Sequence, residues 1–154
     1  MMPVSEKTRD VLYLLFLIQE GSRSSTLGVV EGAVRLQKLV FLAREEGVPF
    51  GYHFNSHFRG PFSRELARDL DLLVDLGFVE VVRGRGLSAA GRPLEKRSYK
   101  LTSEGELFLS KHSHELDKRH LDKVKRVVAK YIDADISELV EESLRRWLVP
   151  VKER

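Results

Sequence analysis

From Ser63 to Glu106 the chain reads as an ordered series of elements that few folds accommodate. Leu66, Leu70, Leu73 and Val74 form the i, i+4, i+7, i+8 stripe of an amphipathic helix over residues 64–76, with Ser63 placed to cap its start. Gly77 turns the chain into a short apolar strand, residues 78–82, and an Arg/Gly-rich loop returns through Ser98-Tyr-Lys-Leu101. Ser103 and Glu106 then hold the spacing of a capping box ahead of Leu107, Phe108 and Leu109. Helix, strand, basic loop, strand, helix is the order of a winged-helix module. A mainly α fold with a small β-hairpin wing is therefore expected: a winged helix-turn-helix-like domain over residues 1–110 and a helical C-terminal extension over 111–154. That scaffold serves DNA readers and protein-binding adaptors alike, so fold alone does not choose a function.

The flanking segments fit this frame. Ser5 caps a helix expected to reach Gln19 or Glu20, and Val11, Leu12 and the run Leu14 to Ile18 leave its second half almost no polar face. Residues 21–28 are small and polar and read as a loop. A second helix is expected from about Val30 to Glu46, stopped by Gly47 ahead of Pro49. Phe50, Tyr52 and Phe54 alternate with Gly51, His53 and Asn55, a period of two that predicts an extended segment with one buried face. The tail predicts two more helices, roughly 115–132 and, from the Asp135/Glu138 capping spacing, onward to Leu148 before Pro150.

Several function classes fall away on composition and spacing. With 154 residues and no cysteine, the chain is large enough for a core without staples and has no disulfide, thiolate metal site or Cys nucleophile. The apolar run Val11 to Ile18 is eight residues, against the roughly 20 that a membrane span requires. The first residues lack the basic-then-apolar order of a secretory signal, so a cytoplasmic location is expected. His53 and His57 have chelate spacing only on a helix; on a strand four residues span about 13 Å, too far to share an ion. No phosphate-binding glycine fingerprint, zincin helix or nucleophile elbow is present, and a non-enzymatic protein without cofactor is expected.

Charge distribution carries the functional reading. The net charge is +3, yet residues 83–100 hold Arg83, Arg85, Arg92, Lys96, Arg97 and Lys100 against Glu95 alone, a local +5 that leaves −2 elsewhere. Such a wing suits phosphate or minor-groove contacts. Arg119, Lys123, Arg126 and Lys130 recur at i, i+4, i+7, i+11 and line one face of the first tail helix, opposite Leu121, Val124, Val128 and Tyr131. The helix over 64–76, in the place of a recognition helix, sums to −2 and is ill-suited to a phosphate-rich groove. The first expectation is thus a regulator that associates with duplex DNA through backbone contacts of these two cationic surfaces. Trp147, with Leu144 and Leu148, is expected to close the chain's own core, and the tail helices also offer a surface for a homodimer.

Arg35-Leu-Gln-Lys-Leu-Val-Phe-Leu-Ala43, the aromatic segment ending in Phe58-Arg-Gly-Pro-Phe-Ser63, and Glu65-Leu66 together resemble the YwgA-like proteins and the broader Panacea antitoxin domain. The match rests on Leu36, Gln37, Lys38, Leu39, Gly60 and Pro61 and covers roughly positions 30 to 80. The resemblance implies a small non-enzymatic regulator, of the kind that neutralises a toxin-like protein by binding it. On that alternative the contact residues are Gln37 and Lys38, expected on the polar side of their helix, with Tyr52, His53 and Phe58 of the aromatic segment and Asp69 of the acidic helix.

Overall fold

In the computed structural model, which describes residues 5–56, 60–87 and 90–149, helix α1 (Glu6–Ser24) runs through the middle of the molecule. The Ser5 hydroxyl accepts the Thr8 N–H at 3.1 Å, and Leu12, Tyr13, Leu14, Leu15, Leu17 and Ile18 are at most 1% exposed. A helix covered on all sides needs no wet face, as the unbroken apolar run implies. It continues to Ser24, past the expected stop. Gly21 is a packing position, where a Cβ would come within 2.6 Å of the Val30 side chain.

Residues 30 and 31, expected to open the second helix, instead form strand β1 (Val30–Glu31). Gly32, at φ +89°, breaks the chain direction, and α2 (Ala33–Glu45) starts after it. Beyond α2 the aromatic segment is extended as its alternation predicts, with Phe50, Tyr52 and Phe54 at 3–5% exposure. It lies in no sheet; a single bridge joins Asn55 to Phe62. Its backbone is tied to side chains instead: Gly51 N–H donates to Asp10, His53 N–H to Glu65, and Arg44 donates to the Tyr52 carbonyl.

Helix α3 (Arg64–Asp75) begins at Ser63, whose hydroxyl accepts the Leu66 N–H, and buries Leu66, Leu70 and Leu73. Strands β2 (Val79–Leu87) and β3 (Pro93–Leu101) follow as an antiparallel hairpin, and β1 completes a sheet of order β1-β3-β2. Helix α4 (Ser103–His112) is capped by Thr102, one residue earlier than the Ser103 spacing predicts. Thr102 accepts the Gly105 N–H and donates to the Gly77 carbonyl, locking α4 to the turn after α3. A 3-10 turn (Ser113–Glu115) leads to α5 (Lys118–Tyr131) and α6 (Ile136–Leu148). Asp135 precedes α6 but its side chain caps nothing, unlike the predicted capping box.

The tail helices belong to the same core as the rest. Val124, Val127, Val128, Ile132 and Leu139 are at most 5% exposed and join the cluster built on α1 and α2. Arg35 of α2, itself buried, donates to the carbonyls of Ile132 at 2.9 Å and Ala134 at 2.6 Å, groups left open where α5 ends. Trp147 is partly buried with its ring 6.1 Å from that of Phe41, closing the core as expected. Among the described residues no helix is long and apolar enough to cross a membrane.

Candidate nucleic-acid interface

The Arg/Gly-rich stretch is mostly not a loop. Backbone pairing continues through Arg83↔Arg97, Gly84↔Lys96 and Arg85↔Glu95, so the cations sit on a two-stranded ribbon. Arg83 and Arg97 face each other directly, and like charges so placed repel. Glu95 relieves this: it ion-pairs with Arg83 and lies 4.0 Å from Arg97. Lys96 bonds Glu31 of β1 at 2.7 Å, and Lys100 lies 3.7 Å from Glu80. The six cations thus meet three acids, Glu31, Glu80 and Glu95, and the wing's surplus is +3 rather than the +5 counted from the contiguous residues. Arg85 is exposed and has no acid at ion-pairing distance among the described residues; Arg92 is exposed beside the turn.

Helix α3 is less acidic outside than its sequence suggests, because Asp69 points inward. At 3% exposure Asp69 accepts the Tyr52 hydroxyl at 2.8 Å and pairs with Lys7 of α1. Arg64, Glu65, Arg68, Asp71 and Asp75 remain exposed, with Leu72 and Leu76 at 46% and 57%. A face of two cations, three acids and two leucines offers little to a phosphate backbone.

The alternative contact set is largely interior. Gln37 and Lys38, expected on a polar face, are 4% and 2% exposed. The Gln37 amide grips Ser63 twice, donating to its carbonyl at 2.8 Å and accepting its N–H at 3.0 Å, while Lys38 donates to the Pro61 carbonyl at 2.8 Å. Gly60, at φ +97°, passes close to the Lys38 amine, where a Cβ would lie 3.5 Å away. The helical pattern of α2 misleads because the returning chain, through Pro61 and Ser63, covers the side that carries these two residues. Burial also raises the Tyr52 hydroxyl far above its ordinary pKa, keeping it a neutral donor to Asp69. His53 is exposed, its Nε2 3.1 Å from Asn55 Oδ1; Phe58, like His57, lies outside the described residues.

Helix α5 places Arg119, Lys123, Arg126 and Lys130 along one side and buries Val124, Val127 and Val128 on another. Arg119 is occupied by Asp117, with Nε at 3.2 Å and Nη2 at 2.9 Å, and holds that carboxyl down to about 2. Lys118, Lys123, Lys125, Arg126 and Lys130 have no ion pair among the described residues. Six cations against Asp122 give the helix a net +5. Arg146 of α6 comes up beside them, with Glu46 from the end of α2, around a cavity of about 160 Å³. Arg35 and Arg146 were not singled out by sequence; the only signal for Arg35 is a cation set between Val34 and Leu36 in an apolar run.

His120 of α5 turns inward, Nδ1 2.8 Å from the Tyr13 hydroxyl, and burial lowers its pKa. Among the described residues no group of three or more His, Asp or Glu side chains is arranged to hold a metal ion.

No family model matches the chain. It is similar to the uncharacterized protein YwgA of Bacillus subtilis (strain 168), 34% identical over 85 residues, which is 55% of this chain and 48% of that protein. The chain thus spans about half the length of that relative. The partial likeness supports kinship with YwgA-like proteins and brings no activity with it.

Proposed function

We propose that the protein is a non-catalytic, winged-helix-type regulator that associates with duplex DNA through backbone contacts, led by α5 with the wing in support. The order α1, β1, α2, α3, β2, β3 with a β1-β3-β2 sheet supports the scaffold. The observation that carries the functional reading is the row Lys123, Arg126 and Lys130, flanked by Lys118 and Lys125, without acidic partners among the described residues. Wing cations that already hold Glu31, Glu80 and Glu95 contribute less. Binding of this kind releases counterions, so affinity falls linearly in log-log form with salt, about 0.9 per phosphate neutralised. Reversing Arg126 and Lys130 to Glu is expected to flatten that slope by about 2, and Arg85→Glu by about half as much. Absence of duplex affinity at low salt, or a slope indifferent to the α5 reversals, refutes the reading.

A second reading, an antitoxin-type module that binds a protein partner, draws support from the outward Leu72 and Leu76 of α3 beside Asp71 and Asp75. Its site lies on that face rather than on Gln37, Lys38, Tyr52 or Asp69, which are buried. A partner that co-purifies and is lost on Leu72→Lys but kept on the α5 reversals would favour it.

A further inference from the structure

Lys123, Arg126 and Lys130 of α5 and Arg146 of α6 converge on one notch lined by one carboxylate, Glu46; with Glu142, which also holds Arg146, four cations meet two acids and the surplus is +2. Its volume, about 160 Å³, is roughly that of five water molecules. Gathering like charges in a concavity costs electrostatic energy that an anion seated there recovers. One of these cations is held in place, and a second reaches the end of α2. Arg146, 20% exposed, donates to Glu142 at 2.8 Å and to Glu46 at 3.1 Å, which fixes the plane of its guanidinium. The Lys123 amine leans over the end of α2, where Gly47 at φ +107° leaves room that a Cβ would close to 2.7 Å.

We infer that this notch is a seat for a compact polyphosphate anion, of inorganic pyrophosphate or terminal nucleotide-diphosphate chemistry. The Arg126 fork, with Lys123 and Lys130 as point charges and Arg146 held beside them, is a donor set that phosphate oxygens take. A duplex backbone presents one charge per phosphodiester; a small volume with a surplus of +2 matches an anion carrying its charges on adjacent phosphates. Val127 and Tyr131 supply an apolar wall beside the charged groups. The site goes beyond the DNA reading and shares Lys123, Arg126 and Lys130 with it, so occupancy would compete with duplex.

Titration calorimetry of the full chain with inorganic pyrophosphate, at constant ionic strength and with sulfate as the comparison anion, tests this. A single saturable site is expected, with sulfate weaker by about tenfold or more. Lys123→Gln and Arg146→Lys should each weaken pyrophosphate by about tenfold, the effect of one charge-assisted contact. Lys125→Gln, on the same helix outside the notch, should leave it unchanged, and circular dichroism melts verify that each variant folds. Equal binding of sulfate and pyrophosphate, or equal losses in Lys125→Gln and Lys123→Gln, overturns the inference. Duplex affinity measured on the same samples separates the two readings: duplex binding without a pyrophosphate site overturns the notch alone, and a pyrophosphate site without duplex binding overturns the DNA reading alone.

Discussion

Gln37 and Lys38 direct their polar groups to Ser63 and Pro61, 26 and 23 residues further along, and so set where α3 begins. Gln37→Leu leaves the Ser63 N–H without its acceptor, although the Ser63 carbonyl keeps the Ala67 N–H. A loss of about 1–3 kcal/mol in urea unfolding is expected, and a similar loss for Lys38→Met, which keeps the stem and removes a charged donor. Duplex affinity of both variants should be unchanged once folded. His120 makes a pH-dependent contribution. Its folded pKa lies below 6.5, since burial outweighs the attraction of Asp117, and Lys123, Arg119 and Arg9 push the same way as burial. Below about 6.5 the unfolded chain takes up a proton that the folded chain resists. The stability due to neutral His120 is therefore complete above that value and is lost as pH falls through the folded pKa. Melting temperature should drop on going from about pH 7 to pH 5, and His120→Gln should shrink that drop.

At the scale of elements, the hairpin and α5 show what sequence position says about charge and what it omits. Strand pairing extends to Leu87 and Pro93 because residues 83–87 and 93–97 continue an antiparallel ladder, which the glycines do not interrupt. The hairpin's acids arrive from across the sheet: Glu31 is far away in sequence and adjacent in space. Glu95→Gln is expected to change stability by less than about 1 kcal/mol, as exposed pairs do, while raising duplex affinity at low salt by freeing Arg83 and Arg97. Unchanged affinity would remove the wing from the interface. The face of α5 was legible, since helical periodicity is local; the company of Arg146 and Glu46 was not. Likewise Asp69 reads as one of several acids on an exposed helix, and only the Tyr52 hydroxyl and Lys7 explain why it faces inward.

For the whole molecule, α5 and α6 supply Val124, Val128 and Leu139 to the core around α1 and α2, and Arg35 ties α2 to the end of α5. A chain ending at His112 would leave the apolar side of α1 that meets α5 open to water; it is expected to lose cooperative thermal unfolding, which calorimetry would register. The sequence by itself determined what depends on near neighbours along the chain: the buried central helix, the Ser5 and Ser63 caps, the alternating aromatic strap, the strand pair after α3 and the amphipathic α5. Periodicity and capping are properties of a few consecutive residues, so they survive without knowledge of the fold. Tertiary structure alone decided which polar groups are interior, which cations are already neutralised and which converge. Burial and ion pairing depend on distances between segments tens of residues apart. Hence Lys38 is a staple, Glu31 belongs to the wing, and Arg146 stands with Lys123, Arg126 and Lys130.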